Sequence, residues 1–157
     1  MAGGPPVNVA LDGQCVRMST YVAGSLRYLD AYTTHNGDVV TRPFQSNDTQ
    51  SWCFTRVRDE TSGMAGGPSY LGTWYTVQHR SFTGQYLDAY VNTSGQRAVL
   101  RDAQTDHTQE WFVTNGSGTI KQGGVSSYRA LAALTTSADN FGVVTRSDFG
   151  STWTLGN

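Results

Sequence analysis

The chain has 157 residues, a net charge of −1 and 18 glycines; 11% of its residues are aromatic and only 15% are charged. It contains no basic cluster for a nucleic-acid backbone or an anionic membrane surface, and its aromatic content argues against a disordered chain. Such a composition is typical of an all-β domain with many turns. We therefore expect one domain over residues 1–157, with no nucleic-acid partner and no membrane insertion.

Short strands are predicted from the beginning of the chain. Apolar residues alternate with polar neighbours, as in half-buried strands, at Val16 and Met18, Leu29 and Ala31, and Trp52 and Phe54. Turn-forming residues separate these segments at 23–24, 36–37 and 45–48. No segment has a convincing helical stripe of apolar residues, so the sequence predicts strands throughout.

The pattern of the first unit then recurs twice. The string Tyr-Leu-Asp-Ala-Tyr at 28–32 is repeated at 86–90, and a decayed copy, Ala-Leu-Ala-Ala-Leu, lies at 130–134. A Gln-x-Trp string follows at 50–52 and 109–111, with Ser-Thr-Trp at 151–153. The repeats span about 13–57, 72–115 and 118–155. The extra residues 58–70 predict an insertion in a surface loop, where added length costs little.

Each repeat is too small to bury a core of its own, so three must close on each other. Three units of about four short strands, each ending near Gln-x-Trp, resemble the β-trefoil ricin-B-like lectins. This resemblance implies an all-β trefoil with pseudo-threefold symmetry. It also implies that the tryptophans pack in the core and that each Gln braces the loop before it. The tryptophans concerned are Trp52, Trp111 and Trp153.

The same resemblance implies a shallow sugar pocket on a repeat, where an aspartate accepts hydrogen bonds from two sugar hydroxyls. Asp30 and Asp88 match that position, whereas the third repeat has Ala132, so we expect two sites. An aspartate that bonds its own loop backbone is the alternative interpretation. The candidate sugar-binding residues are Asp30, Tyr32, Asn36, Gly37, Phe44, Asn47 and Gln50 in repeat 1, and Asp88, Tyr90, Asn92, Gly95, His107 and Gln109 in repeat 2.

One position departs from the family pattern. In plant members an aromatic residue near position 42 stacks on the sugar, but this chain has Arg42, with Arg101 and Arg146 as its counterparts. Because Arg146 persists in the repeat without the aspartate, we expect these arginines to be structural. Tyr32, Phe44, Tyr90 or His107 must then supply the stacking ring.

The function implied by the resemblance is a lectin, or hemagglutinin, for glycans and glycoproteins that end in galactose or N-acetylgalactosamine. No catalytic motif and no metal-ligand spacing occurs, so we expect neither an enzyme nor a cofactor. A protease inhibitor on the same trefoil scaffold is the alternative, and it would use the segment 58–70. The oligomeric state stays open, with a homodimer among the alternatives.

The two cysteines bear on where the protein works. Cys15 and Cys53 lie on strands that run close together in a trefoil, so a bridge stays open, but we expect reduced, buried thiols. The segment from Met1 to Pro6 has neither the basic nor the apolar part of a signal peptide. The expected location is therefore the cytoplasm, with release by a non-classical route as an open alternative.

Overall fold

The computed structural model describes residues 11–31, 34, 37–62, 69–91, 96–114, 118–125, 129–147 and 150–156. These residues contain twelve strands: β1 (Cys15–Val22), β2 (Ser25–Ala31), β3 (Gly37–Arg42), β4 (Trp52–Ser62), β5 (Ser69–His79), β6 (Gln85–Ala89), β7 (Ala98–Asp102), β8 (Glu110–Thr114), β9 (Ile120–Gln122), β10 (Ala130–Ala133), β11 (Val143–Arg146) and β12 (Thr154–Gly156). Single turns of 3-10 helix lie at Asp48–Gln50 and Ser137–Asp139. No helix in this described part is long and apolar enough to cross a membrane.

Six of the strands form a barrel. Antiparallel pairing runs from β1 to β4, β5, β8 and β9, and β12 returns to pair with β1. The backbone N–H of Trp153 donates to the carbonyl of Gly118 just before β9, at 2.9 Å, which joins the two ends of the barrel. Gly118 has φ +72°, a left-handed conformation that glycine adopts without steric cost.

The other six strands form three hairpins that meet at one end of the barrel. These hairpins are β2–β3, β6–β7 and β10–β11, and β3 also pairs with β7. Isolated bridges connect Val40 to Gly142 and Arg97 to Val144. A six-stranded barrel capped by three hairpins is a β-trefoil, so the predicted fold class is confirmed.

The tryptophans of the three repeats occupy equivalent places in the core. Trp52 and Trp111 have no exposed surface and Trp153 is 3% exposed. Each indole N–H donates to the carbonyl of the leucine at the second position of the repeated string or of its decayed copy: to Leu29 O at 3.0 Å, to Leu87 O at 2.9 Å and to Leu131 O at 3.1 Å. Apolar burial and a satisfied indole donor thus recur three times, and the predicted core role is confirmed.

The segment 58–70 is not a simple surface loop, and that part of the prediction is wrong. Residues 58–62 continue β4, and residues 69–70 begin β5. The strands pair as far as Ser62 opposite Ser69, with register shifts between Arg56 and Arg58 and between Glu60 and Thr61. Residues 58–62 therefore extend the antiparallel ladder between β4 and β5, because their backbone groups pair with residues 69–74. Residues 63–68 lie outside the described residues.

The prediction of reduced thiols is also wrong. Cys15 and Cys53 form a disulfide between β1 and β4. The two residues are register partners across the antiparallel pair, which places their side chains next to each other on one face of the sheet. The expectation of free thiols rested on a segment from Met1 to Pro6 that does not resemble a signal peptide, and that segment carries no information about the register between β1 and β4.

Candidate functional site

Gln50 connects Asp30 to the loop after β3. Its side-chain N–H2 donates to Asp30 Oδ2 at 3.1 Å and to the carbonyl of Pro43 at 2.9 Å. Its Oε1 accepts from the backbone N–H of Gln45 at 2.9 Å. One buried amide therefore fixes the distance between the carboxylate on β2 and the loop at 43–45.

The Asp30 carboxylate has one engaged and one unengaged oxygen. The residue has no exposed surface, which differs from the open, shallow pocket that the sequence predicts. Oδ2 accepts from Gln50, whereas Oδ1 is buried and accepts no hydrogen bond from the residues that the structure describes. An unsatisfied buried carboxylate oxygen is rare and costly, so its missing donor calls for an explanation.

Phe44 lies in the loop that Gln50 braces. Its ring is 58% exposed, although it meets the edge of the half-buried Tyr28 ring at 5.6 Å between centroids. The guanidinium of Arg17 lies 5.0 Å from the centroid of the Phe44 ring. The ring is thus held in place by neighbours but still presents an apolar surface to solvent.

The 3-10 turn that carries Gln50 is anchored at both sides. Asn47 caps it, because its Oδ1 accepts from the N–H of Thr49 at 3.2 Å and from its hydroxyl at 2.7 Å. The buried ring of His79 bonds the carbonyl of Thr49 at 2.8 Å, and its Nδ1 accepts from the backbone of Ser81 at 3.1 Å. These partners require a neutral ring with the proton on Nε2. Asn47 thus serves the turn that positions Gln50.

The environment of His79 agrees with a neutral ring. Burial lowers the pKa of His79 below its ordinary value, and this outweighs the opposing effects of the Thr49 carbonyl and of the Asp30 and Asp48 carboxylates. The ring also packs edge-on against Trp52, with 4.9 Å between centroids. His79 therefore joins the core tryptophan to the turn beside Asp30, a role that a lone histidine in the sequence did not signal.

In repeat 2 the equivalent carboxylate has partners for both oxygens. Gln109 donates to Asp88 Oδ2 at 3.2 Å and to the carbonyl of Asp102, while its Oε1 accepts from Gln104 N at 3.0 Å. Asp88 Oδ1 accepts from the N–H of Ala89 at 2.7 Å, and Arg101 Nη1 lies 3.7 Å from Oδ2. Asp88 has no exposed surface. Because both of its oxygens accept hydrogen bonds within the protein, the Asp88 carboxylate has the geometry of a structural residue and not of an acceptor that is available to a ligand.

The rings expected in repeat 2 are engaged elsewhere. The Arg101 guanidinium lies over the Tyr90 ring at 4.4 Å from its centroid. The His107 side chain is 66% exposed and bonds Glu110 at 2.7 Å, next to the Arg58–Glu110 ion pair. Burial raises the pKa of Glu110, but the bonds from His107 and Arg58 outweigh it, so the net pKa lies below the ordinary value. Ala103 takes the loop position of Phe44.

Repeat 3 has smaller residues in place of both the aspartate and the glutamine. Ala132 is buried, and the hydroxyl of Ser151, which stands in the place of Gln50 and Gln109, accepts from Ala133 N at 2.9 Å.

The remaining candidate sugar-binding residues are either part of strand pairing or lie outside the described residues. Gly37 lies in β3 opposite Leu100 of β7, where it takes part in pairing between two hairpins. Four candidates fall outside the described residues, namely Tyr32, Asn36, Asn92 and Gly95. Within the described ranges, no three His, Cys, Asp or Glu side chains are grouped closely enough to hold a metal ion.

Solved structures with a similar fold are available for comparison. ThreeFoil, a designed 3-fold symmetric protein, superposes with a TM-score of 0.64 at 20% identity over 91% of this chain and 98% of its own. A Caenorhabditis elegans protein of unknown function gives 0.64 at 13% identity, over 93% and 94%. The SDF2-like protein from Arabidopsis thaliana gives 0.64 at 12%, over 93% of each chain. No family model and no curated protein sequence matches the chain. These identities establish the β-trefoil fold alone.

Proposed function

We propose that the chain is a carbohydrate-binding lectin of the ricin-B-like type whose main site is in repeat 1, at Asp30 and Phe44. The observation that carries this proposal is the buried Asp30 Oδ1, which lacks a donor among the described residues. A sugar hydroxyl that donates to Oδ1 would complete the hydrogen bonding of this carboxylate.

The combination of groups suits a sugar ring. A carboxylate that only accepts hydrogen bonds is matched to the hydroxyl donors of a sugar. The exposed Phe44 ring offers an apolar face for the C–H side of the same sugar, and Gln50 ties the ring-bearing loop to the carboxylate. Polar and apolar recognition are thereby held on one rigid unit.

This arrangement makes the repeats unequal, whereas the sequence predicts two equivalent sites. In repeat 2 both oxygens of the Asp88 carboxylate accept hydrogen bonds, from Ala89 and Gln109, and Ala103 replaces the exposed ring. A sugar would gain less there, because it must replace bonds that already exist. We therefore assign repeat 2 a structural role or a much weaker site.

The ligand class proposed is terminal galactose or N-acetylgalactosamine, with a dissociation constant on the order of 0.1–1 mM at one site, since little area is buried and the hydroxyls must lose water. Agglutination requires at least two sites on one particle. A monomer with one effective site would bind glycans without agglutinating cells, and a homodimer would agglutinate them.

Asp30→Asn tests the site because it removes the charge and keeps the shape. A hydrogen bond to a charged group contributes about 1.5–3 kcal/mol, so we expect the affinity for the bound sugar to fall about 10- to 100-fold. Asp88→Asn is the matched control, since Asp88 makes the same contact with its own Gln, and it should change the affinity less than about threefold. Titration calorimetry with galactose, N-acetylgalactosamine and lactose measures both, after a glycan array has identified the best ligand.

A second pair of variants tests the stacking ring. Phe44→Ala should weaken binding several-fold, whereas Tyr21→Ala removes an even more exposed ring, 74% exposed on β1, and should have no effect. If Asp30→Asn and Asp88→Asn reduce the affinity for the sugar equally, the assignment of the main sugar site to repeat 1 is contradicted. If none of the three sugars binds and no glycan on the array is bound, the lectin proposal itself is contradicted.

We also propose that the protein works in an oxidising compartment, in place of the cytoplasmic location expected from the segment Met1 to Pro6. The Cys15–Cys53 disulfide supports this, because disulfides persist mainly outside reducing compartments. Alkylation under denaturing conditions without reductant, followed by intact-mass measurement, should add no label to protein isolated from its natural source. Labelling of both cysteines in that sample would contradict the proposal, and labelling after reduction is the control.

A further inference from the structure

A cavity of about 300 Å³ lies where repeat 2 meets repeat 3. Its lining residues are Gln96, Arg129, Leu134, Val144, Thr145 and Arg146. This set contains two arginines, and Val144, Thr145 and Arg146 belong to β11 of the β10–β11 hairpin. The cavity therefore combines positive charge with an apolar wall formed by Leu134 and Val144.

Pseudo-symmetry shows why this space is open. Repeat 3 meets repeat 1 through Phe141, whose carbonyl accepts from Thr41 N at 2.9 Å, and repeat 2 meets repeat 3 through Gln96, whose carbonyl accepts from Thr145 N at 3.1 Å. Phe141 and Gln96 also share a left-handed backbone, with φ of +48° and +40°. Gln96 thus takes, against repeat 3, the position that Phe141 takes against repeat 1.

The arginines beneath these two positions are equivalent as well. In repeat 1, Arg27 donates to the hydroxyl of Thr41 at 3.1 Å and to its carbonyl at 2.6 Å; in repeat 3, Arg129 donates to the hydroxyl of Thr145 at 3.3 Å and to its carbonyl. The Phe141 ring stacks on the Arg27 guanidinium, 3.8 Å from its carbon to the ring centroid. No ring from the described residues covers Arg129, and the cavity occupies that place.

We propose that this cavity binds a small aromatic carboxylate, with its ring on the guanidinium of Arg129 and its carboxylate beside Arg146. Phe141 on Arg27 is the internal precedent for the ring, since a planar guanidinium attracts the face of an aromatic group. Arginine also matches a carboxylate in charge and geometry. Leu134 and Val144 contact the rest of the ring. The inference does not depend on the proposed sugar site, which lies in another repeat.

Benzoate is the test ligand, with benzamide as its neutral analogue and cyclohexanecarboxylate as its non-planar analogue. For a ligand of this size we expect benzoate to bind with a dissociation constant on the order of a few millimolar. Benzamide should bind at least about 10-fold more weakly, because it lacks the charge. Cyclohexanecarboxylate should bind roughly threefold or more weakly, because it cannot stack. Chemical-shift titration by NMR gives the three constants and locates the shifts at Val144 and Thr145.

Substitutions at the cavity complete the test. Gln96→Phe should fill the space as Phe141 does in repeat 1 and weaken benzoate at least about 10-fold, whereas Gln96→Ala should leave binding intact. Arg146→Gln should abolish the preference for benzoate over benzamide, and Arg42→Gln, its counterpart in repeat 1, should not. Equal binding of benzoate and benzamide, benzoate binding that survives Gln96→Phe, or no benzoate binding at tens of millimolar would each overturn the proposal.

Discussion

Replacement of Trp52 by alanine is expected to lower the free energy of unfolding by about 3–5 kcal/mol, a large part of the stability of a domain of this size. The side chain has no exposed surface, so its removal leaves a large cavity among Met18, Leu29 and Phe54. The substitution also removes the hydrogen-bond donor of the Leu29 carbonyl, which accepts from the indole N–H at 3.0 Å. Urea denaturation followed by tryptophan fluorescence and circular dichroism should show an early transition or none.

Trp74→Ala is the matched control for this substitution. Trp74 lies half-buried on β5, where its indole donates to Glu60 at 2.9 Å and Arg58 lies 4.9 Å from its ring centroid. Because solvent can fill most of the space that it leaves, we expect a loss of about 1–2 kcal/mol. The loss for Trp52→Phe should fall between the two, since an aromatic ring stays in the core while the indole donor and part of the side-chain volume are lost. If Trp52→Ala lowers the free energy of unfolding no more than Trp74→Ala does, the core role of Trp52 is contradicted.

The trefoil could be predicted from the sequence because the residues that make one local contact recur in each of the three repeats. Leu29, Leu87 and Leu131 sit at one place in the repeated string, and the tryptophan about 22 residues later bonds each of them. Periodicity carries that information directly. The strand extension at 58–62 was missed because spacing and composition do not reveal which residues of β4 and β5 pair. The Cys15–Cys53 bridge was missed because the segment from Met1 to Pro6, which does not resemble a signal peptide, favoured reduced thiols over a bridge between neighbouring strands.

The candidate site was predicted in part. The residue types at Asp30, Gln50 and Phe44 were identified, and the structure brings Asp30 into contact with Gln50 and places Phe44 in the loop that Gln50 braces. The burial of both aspartates and the inequality of the two repeats were not foreseen. Identical strings at 28–32 and 86–90 suggested equal sites, but Ala103 lies outside the strings, and the bond from the Ala89 N–H to Asp88 Oδ1 depends on the local backbone conformation.

Loss of the Cys15–Cys53 disulfide is expected to destabilise the protein by about 2–4 kcal/mol. The two cysteines are 38 residues apart, so the bridge closes a loop that contains all of β2 and β3 and restricts the unfolded chain accordingly. In the folded protein, the ladder between β1 and β4 has only two register pairs, Cys15 with Cys53 and Val16 with Trp52. The bridge thus reinforces a short junction of the barrel, next to a core tryptophan.

The double variant Cys15→Ala/Cys53→Ala measures this contribution, with parent protein under reductant as an independent route to the same state. Both should show the same lower midpoint in urea, and reductant should leave the double variant unchanged, because no other cysteine exists in the sequence. An unchanged midpoint in the reduced parent would mean that the short ladder between β1 and β4 is sufficient without the bridge. Since β2 lies within the closed loop, loosening this junction should also weaken sugar binding at Asp30, although Cys15 and Cys53 themselves contribute no donor or acceptor to that site.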